Sequence, residues 1–262
     1  RPVAVIGTGG YGAAPALLAA RSLRIPYFLH ESNAEPGALV KLVSRSARRV
    51  WCGLDAALER LPGASCRAVG TPVRQAFRRD FAPLAALEPP FRLLVLGGSG
   101  GARILNETLL AIAPSLLDRF PDWEIMHQAG VQEFERLEAL PRHPRHTLAP
   151  FIEAVDEALE GASLVLSRSG ASTCSELKAC GRPALLVPLP KSAGDHQHHN
   201  ALALAAEGRA QVVEQSGAGF QTALRERLSA LMSDREARAG LSRPEANHAL
   251  EACLEDLASI LG

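Results

Sequence analysis

Three times in this chain a short apolar run breaks into a glycine-containing turn that leads into a helix pattern. The runs are Val3–Ile6 before GTGGYG, Phe91–Leu96 before GGSGGARILN, and Ser163–Leu166 before SRSGAST. Short β-rich runs alternating with helix-period segments imply parallel βαβ units, and so an α/β fold. In such a sheet the helix N-termini open onto the carboxyl edge of the strands, where ligands bind. A length of 262 residues accommodates one large or two modest domains of this kind.

The first series runs from strand Val3–Ile6 through the turn Gly7–Gly12 to a helix at about Pro15–Leu23. Strand Tyr27–His30, loop Glu31–Gly37, a helix at about Ala38–Ser46 and strand Arg49–Cys52 follow. A short strand near Cys66–Val69 leads into GTPVR, Gly70 to Arg74. Residues 78–91, RRDFAPLAALEPPF, hold three prolines and no strand pattern, and read as an interdomain linker. The second series begins at Phe91, with a long helix to about Phe120, strand Trp123–His127, helix Val131–Leu140 and an extended run His146–Phe151. Strand Ala184–Val187 and a helix from near Asp195 come after the third glycine turn. The tail, Glu245–Leu261, has an amphipathic helix pattern with Ala249, Leu250, Cys253, Leu254, Leu257 and Ile260 on its apolar face.

Formal net charge is zero, but unevenly spread: residues 1–80 hold 12 Lys/Arg against 5 Asp/Glu, and residues 81–262 hold 16 against 23. A basic half can face phosphate or an anionic membrane surface, and a chance split of solvated charge accounts for it equally well. Five cysteines without a Cys-x-x-Cys pair argue for a reducing compartment and against a disulfide framework or zinc site. No apolar run approaches the roughly 20 residues that span a bilayer. The chain begins without Met, on the lip of a strand, and is expected to be a piece that starts inside a domain.

The motifs each admit a plain reading beside a functional one. GTGGYG matches the dinucleotide fingerprint G-x-G-x-x-G, with Glu31 at the end of the next strand. It also fits a tight turn without a ligand, or a cradle for another pyrophosphate. GGSGGARILN lacks the third glycine, since Arg103 stands there, but forms an oxyanion-friendly turn around Ser99. In the third turn Thr173 and Glu176 have capping-box spacing, so Glu176 either caps a helix or presents a carboxylate to ribose hydroxyls. The adjacent small-residue turn is a ready anion site at a helix N-terminus. DHQHHN invites a metal reading of His196, His198 and His199, which we reject because no second ligand cluster lies near and the spacing fits no common zinc pattern. Gln197 and Asn200 read instead as hydrogen-bonding groups for a sugar. HESNAEPG, His30 to Gly37, carries acid–base chemistry or a turn. Together these motifs point to a sugar-nucleotide site.

The order GTGGYGAAP, HESNAEPG, GTPVR, GGSGGARILN, HQAG, PFIE, RSGAST–SELKACGRPALLVPLP and DHQHHNA resembles the MurG family, from Pro2 to at least Ala210. That family transfers N-acetylglucosamine (GlcNAc) from UDP-GlcNAc to undecaprenyl-pyrophosphoryl-MurNAc-pentapeptide (lipid I), forming lipid II for peptidoglycan. The resemblance implies a GT-B fold, two Rossmann-like domains with parallel sheets facing a cleft. The first domain would be incomplete (1–79), with a donor domain over 80–244 and a tail, 245–262, returning to the first. It implies an inverting displacement with no cofactor and no metal. The implied partners are UDP-GlcNAc, lipid I and anionic lipids, with no nucleic acid, at the cytoplasmic face of the bacterial inner membrane.

Position by position, it implies that Ile152 meets uracil through its backbone and Glu176 holds the ribose. Ala171, Ser172, Thr173, Cys174 and Ser175 would turn around the diphosphate and sugar, with Ser99 and Arg74 in the same site. Gln197, Asn200 and Asn33 would reach the donor sugar, and Gly9, Gly10 and Tyr11 the acceptor diphosphate. His30 and Glu31 are the candidate bases in this sequence. Val40 departs from an Asn frequent in the family, and the family's first glycine-rich loop is absent. A dehydrogenase explains nothing after Gly37. A donor-binding chain without turnover, or another GT-B transferase, are the rival readings.

Overall fold

A computed structural model of the chain describes residues 2–98, 100–215, 217 and 219–262. Two parallel sheets form, as the βαβ reading and the resemblance both imply. The first comprises β1 (Val5–Gly7), β2 (Tyr27–Glu31), β3 (Arg49–Cys52) and β4 (Cys66–Ala68), in the order β1-β2-β3-β4. Its crossovers carry α1 (Ala14–Ser22) and α2 (Ala38–Val43), whose Leu17, Ala20, Val40 and Val43 bury against Leu29 and Val50. All five residues of β2 are buried, the mark of a strand covered on both faces. α2 stops short of the expected Ser46. The Ser44 and Ser46 hydroxyls turn back to the Lys41 and Val43 carbonyls, and a 3-10 turn replaces the last helical residues.

The second sheet comprises β5 (Phe91–Leu96), β6 (Trp123–Gln128), β7 (His146–Ala149), β8 (Leu164–Ser167), β9 (Ala184–Leu186) and β10 (Ala210–Val212). Its order, β10-β9-β8-β5-β6-β7, is that of a dinucleotide-type sheet: the chain builds outward from β5, then returns beside it and builds the other way. α3 (Arg103–Arg119) and α8 (Phe220–Ser233) pack one face through Leu105, Leu109, Leu224 and Leu228. α5 (Val155–Glu160), α6 (Ala171–Cys180) and α7 (His196–Ala206) cover the other through Leu159, Leu177 and Leu204. α4 (Val131–Glu138) and α9 (Arg235–Leu241) complete this half.

The tail helix α10 spans Ala249–Leu261, beginning four residues after the expected start. Residues before it are held extended: the Glu245 N–H donates to the Lys178 carbonyl and the Asn247 amide to the Thr71 carbonyl (2.9 Å). Its inward face also differs from the apolar stripe. Ala249, Cys253 and Asp256 are buried, while Leu250 and Leu254 are exposed. The reason lies in the first sheet. Phe28 stacks on Trp51, whose indole N–H donates to Asp256 Oδ2 (3.0 Å), and Arg67 donates to Oδ1 (2.7 Å). Burial alone would raise the Asp256 carboxyl, but these donors outweigh it and hold it below its usual range. Asp256→Ala is expected to cost about 2–3 kcal/mol, because it strands a buried indole N–H and a guanidinium. Urea unfolding followed by Trp51 fluorescence measures this, and a change within 0.5 kcal/mol (roughly the spread of neutral surface substitutions) would show that the contact is idle.

The uneven charge finds partners here. Arg49 and Arg67 face Asp256, Arg74 faces Glu176, Arg78 faces Glu251 and Arg79 faces Glu160. Basic residues of the first 80 positions thus pair with acids beyond position 155.

Candidate functional site

β5 and β8 lie side by side, yet the chain leaves them in opposite directions along the sheet. That reversal opens a crevice at their carboxyl ends. A cavity of about 350 Å³ fills it, within the roughly 300–1,000 Å³ usual for small-molecule sites. The turn after β5 supplies Gly97, Gly98 and Gly101, and the turn after β8 supplies Arg168 and Gly170. Glycine is required at Gly101, where φ is +82° and a Cβ would stand 2.5 Å from the Ala129 carbonyl oxygen.

α6 begins at Ala171, with extended Gly170 as its N-cap and no side-chain cap. The capping box read between Thr173 and Glu176 therefore does not form. The helix starts earlier, so Thr173 is its third residue. Gly170, Thr173 and Glu176, spaced by three, share the face that lines the cavity. Cys174 and Ser175 point elsewhere: the Cys174 thiol is fully buried and pushed up to about 12 by burial, and Ser175 Oγ donates to the Ala171 carbonyl. What the turn offers a ligand is the free N–H groups of the first helical residues and the positive end of a ten-residue helix. Ser172 is exposed, and Ser99 lies outside the described residues.

Charge in the cavity is concentrated in three side chains. Arg74 comes from the stretch linking the two sheets and donates to Glu176 Oε1 (2.9 Å). Burial raises the Glu176 carboxyl, and Arg74 partly counters that. Arg168 is anchored to the Val187 and Pro188 carbonyls and to Gln215 Oε1, with burial lowering its pKa; a guanidinium nevertheless stays charged. Gln197 also lines the cavity, and its Oε1 accepts the Leu189 N–H (3.0 Å). Ile152 lines the cavity beside exposed Phe151, but its N–H already donates to Gln128 Oε1 (3.0 Å). Gln128, whose amide also donates to the Gly98 carbonyl, joins two loops of the cavity floor. Neither it nor Arg168 was singled out from sequence. The signal was present, since each is a polar residue at the carboxyl end of a strand.

Asn200 is not in this cavity. It is wholly buried, with Oδ1 accepting the Ala34 N–H (2.8 Å) and Nδ2 donating to Asn33 Oδ1 and the Ser169 carbonyl. It ties the loop after β2 to the second half. Asn33 lines a separate cavity of about 820 Å³ with Gly9, Gly10, Tyr11, Glu31 and Lys41. Gly9 and Gly10 hold φ of +80° and +73°; Gly12 does not need that region, and a Cβ there would meet nothing within 4 Å. The third glycine of the fingerprint is thus not demanded by the backbone.

Neither candidate base is free. The Glu31 oxygens accept from the Asn33 N–H and amide and from the Gly37 N–H, bracing the loop. His30 Nε2–H donates to the Gly70 carbonyl, which leaves Nδ1 to accept from the Ser32 hydroxyl, and burial lowers its pKa. The α7 histidines have near partners: His196 donates to the Glu35 carbonyl, His198 lies 2.9 Å from Glu214, and His199 accepts from Arg60.

The model of the glycosyltransferase family 28 C-terminal domain matches residues 92–255, and that of the family 28 N-terminal domain matches residues 1–52. A protein of Synechococcus sp. (strain JA-3-3Ab) named UDP-N-acetylglucosamine--N-acetylmuramyl-(pentapeptide) pyrophosphoryl-undecaprenol N-acetylglucosamine transferase is 43% identical over 227 residues, 84% of this chain and 61% of that protein. The Gloeobacter violaceus protein of the same name is 40% identical over 92% of this chain and 65% of its own length. The chain therefore spans about three fifths of the length of these curated relatives. The crystal structure of Acinetobacter baumannii MurG superposes with a TM-score of 0.77 at 31% identity, covering 97% of this chain and 73% of that one.

Proposed function

Because the chain belongs to the MurG family within glycosyltransferase family 28, we propose that its switch-point cavity binds UDP-GlcNAc and serves transfer of GlcNAc to lipid I. The observation that carries this reading is the convergence of Arg74, Thr173, Glu176 and Gln197 on one crevice at the carboxyl ends of β5 and β8. Glu176 accepts the two ribose hydroxyls in exchange for Arg74, which turns to the diphosphate with Arg168. The α6 N-terminus faces the same phosphates. In the transfer, the acceptor C4 hydroxyl gives up its proton to solvent as its oxygen bonds to the anomeric carbon and the bond from that carbon to the UDP oxygen breaks. The configuration inverts, and negative charge grows on UDP. Arg168 and the helix N-terminus, already in place, stabilise that charge without rearranging, and Arg74 joins them once the ribose has released it. The acceptor diphosphate enters the larger cavity beside Gly9, Gly10 and Tyr11, and lipid I reaches it from the cytoplasmic face of the membrane. Among the described residues no helix is long and apolar enough to cross a membrane, which accords with peripheral attachment. Neither His30 nor Glu31 serves as base in this arrangement.

Calorimetric titration of the chain tests the donor reading. UDP-GlcNAc and UDP are expected to compete for one site, and NAD to give no heat. Silence with UDP-GlcNAc from a folded chain, or saturable binding of NAD, would overturn it.

A further inference from the structure

Glu35 occupies a seat built for an anion. It stands in the loop between β2 and α2 and lines the larger cavity. One carboxylate oxygen bonds Lys41, and the other lies 2.8 Å from Arg60 NH1. The Lys41 bond, with the nearby Arg60 and His199, holds the Glu35 carboxyl below its usual range. The second half closes over this cluster: His196 Nδ1–H donates to the Glu35 carbonyl (2.8 Å), and Arg60 NH2 donates to His199 Nδ1 (3.4 Å). Across the cavity lie Gly9 and Gly10, with left-handed φ and open space in front of Gly10. A cavity of about 820 Å³ is far larger than one carboxylate needs.

We propose that Glu35 is an internal stand-in for the diphosphate of the acceptor, which displaces it from Lys41 and Arg60. The proposal rests on the reading of this cavity as the acceptor site. Two cations held by a single negative charge are not saturated, and a diphosphate brings more charge and more acceptor oxygens to the same donors. The exchange also selects. A monoanion gains nothing over the carboxylate already there, whereas a diphosphate does, so Glu35 acts against the wrong ligand as well as for the right one.

Inorganic pyrophosphate is the probe, titrated calorimetrically into wild type, Glu35→Gln and Glu35→Ala, each checked for folding by circular dichroism. Both substitutions are expected to tighten pyrophosphate binding about tenfold by removing the competitor. The gain is expected to vanish in Glu35→Gln/Lys41→Ala and to persist with UDP saturating the donor cavity. UDP-GlcNAc affinity is expected to be unchanged in Glu35→Gln. Equal pyrophosphate binding by wild type and both single-site variants would sink the stand-in alone. Absence of binding even without Glu35 would also sink the acceptor reading of the cavity. A gain that UDP abolishes would reassign the seat to the donor's phosphates and overturn the proposal.

Discussion

Acidification from pH 7 to pH 4 is expected to remove on the order of 5 kcal/mol from the unfolding free energy. The cause is a pair of buried histidines, His127 on β6 and His146 on β7. Asn106 Nδ2 donates to the Ala129 carbonyl, so its Oδ1 accepts His127 Nε2–H (3.0 Å), which leaves His127 Nδ1 to accept from His146 Nε2–H (3.3 Å). The His127 ring is therefore neutral in the fold, and burial disfavours charge on His146 as well. Burial lowers His127 from 6.5 to about 3, with His146 adding to the effect, and lowers His146 to about 4, with Arg142 adding. Unfolded imidazoles take up protons near pH 6.5, while the folded ones do so only near 4 and below. Their contribution is thus complete above pH 6.5, shrinks as pH falls and levels off below the folded values. His30, also lowered by burial, acts in the same sense. Asp256, Glu35 and Glu160 are lowered carboxyls, whose contributions fade only below about pH 4.5. In the window from 6.5 to 4.5 the histidines therefore set the fall, opposed by Glu176, whose raised carboxyl regains stability as it takes up its proton. Urea midpoints across this window check the expectation: wild type should fall steeply, and His127→Gln should start lower and fall less. A flat wild-type curve would mean that the pair is charged or hydrated in the fold.

Glu176→Ala is expected to weaken UDP-GlcNAc binding by roughly 10- to 100-fold, the cost of losing charge-assisted hydrogen bonds of about 1.5–3 kcal/mol. The carboxylate is held where burial disfavours its charge, so it gains from every hydroxyl that replaces solvent. In the proposed site its present partner, Arg74, would be released to the phosphates when the ribose arrives. Removing Glu176 should therefore weaken UDP and UDP-GlcNAc alike, since both carry the ribose, and should not weaken pyrophosphate, which has no ribose and meets an Arg74 already freed from its carboxylate. Calorimetry with the three ligands decides. A loss confined to UDP-GlcNAc would move Glu176 from the ribose to the sugar, and no loss would remove it from the site.

The alternation of short apolar runs with glycine turns made the parallel sheets legible, because backbone pairing and helix cover leave few other arrangements for such segments. Strand ends moved by one or two residues. The stretch 210–241 received no elements from sequence, although β10, α8 and α9 lie there. β10 has only three residues, too short to show a period. The site was legible as a set of turns and less so as side chains. Thr173, Glu176 and Gln197 converge, but Asn200 is spent on joining the halves, and nothing in its local sequence tells an amide facing a ligand from one facing a loop 166 residues away. The tail misled for a related reason. Asp256 interrupts an apolar stripe, and its inward position follows from Trp51 and Arg67, which no pattern within the helix contains.

The paired passage of the chain between the two halves has a mechanical consequence. One strand of chain crosses at residues 70–90 and the other returns just before α10, with Asn247 bonded to the Thr71 carbonyl and Ala249 3.7 Å from where a Gly70 Cβ would stand. A single tether leaves a body free to swing and to spin. Two tethers side by side remove the spin and leave one easy rotation, about the line that joins them. Any parting of the halves would then have to break the bonds from Asn200 and His196 to the loop after β2 and turn about a spine at Thr71 and Asn247.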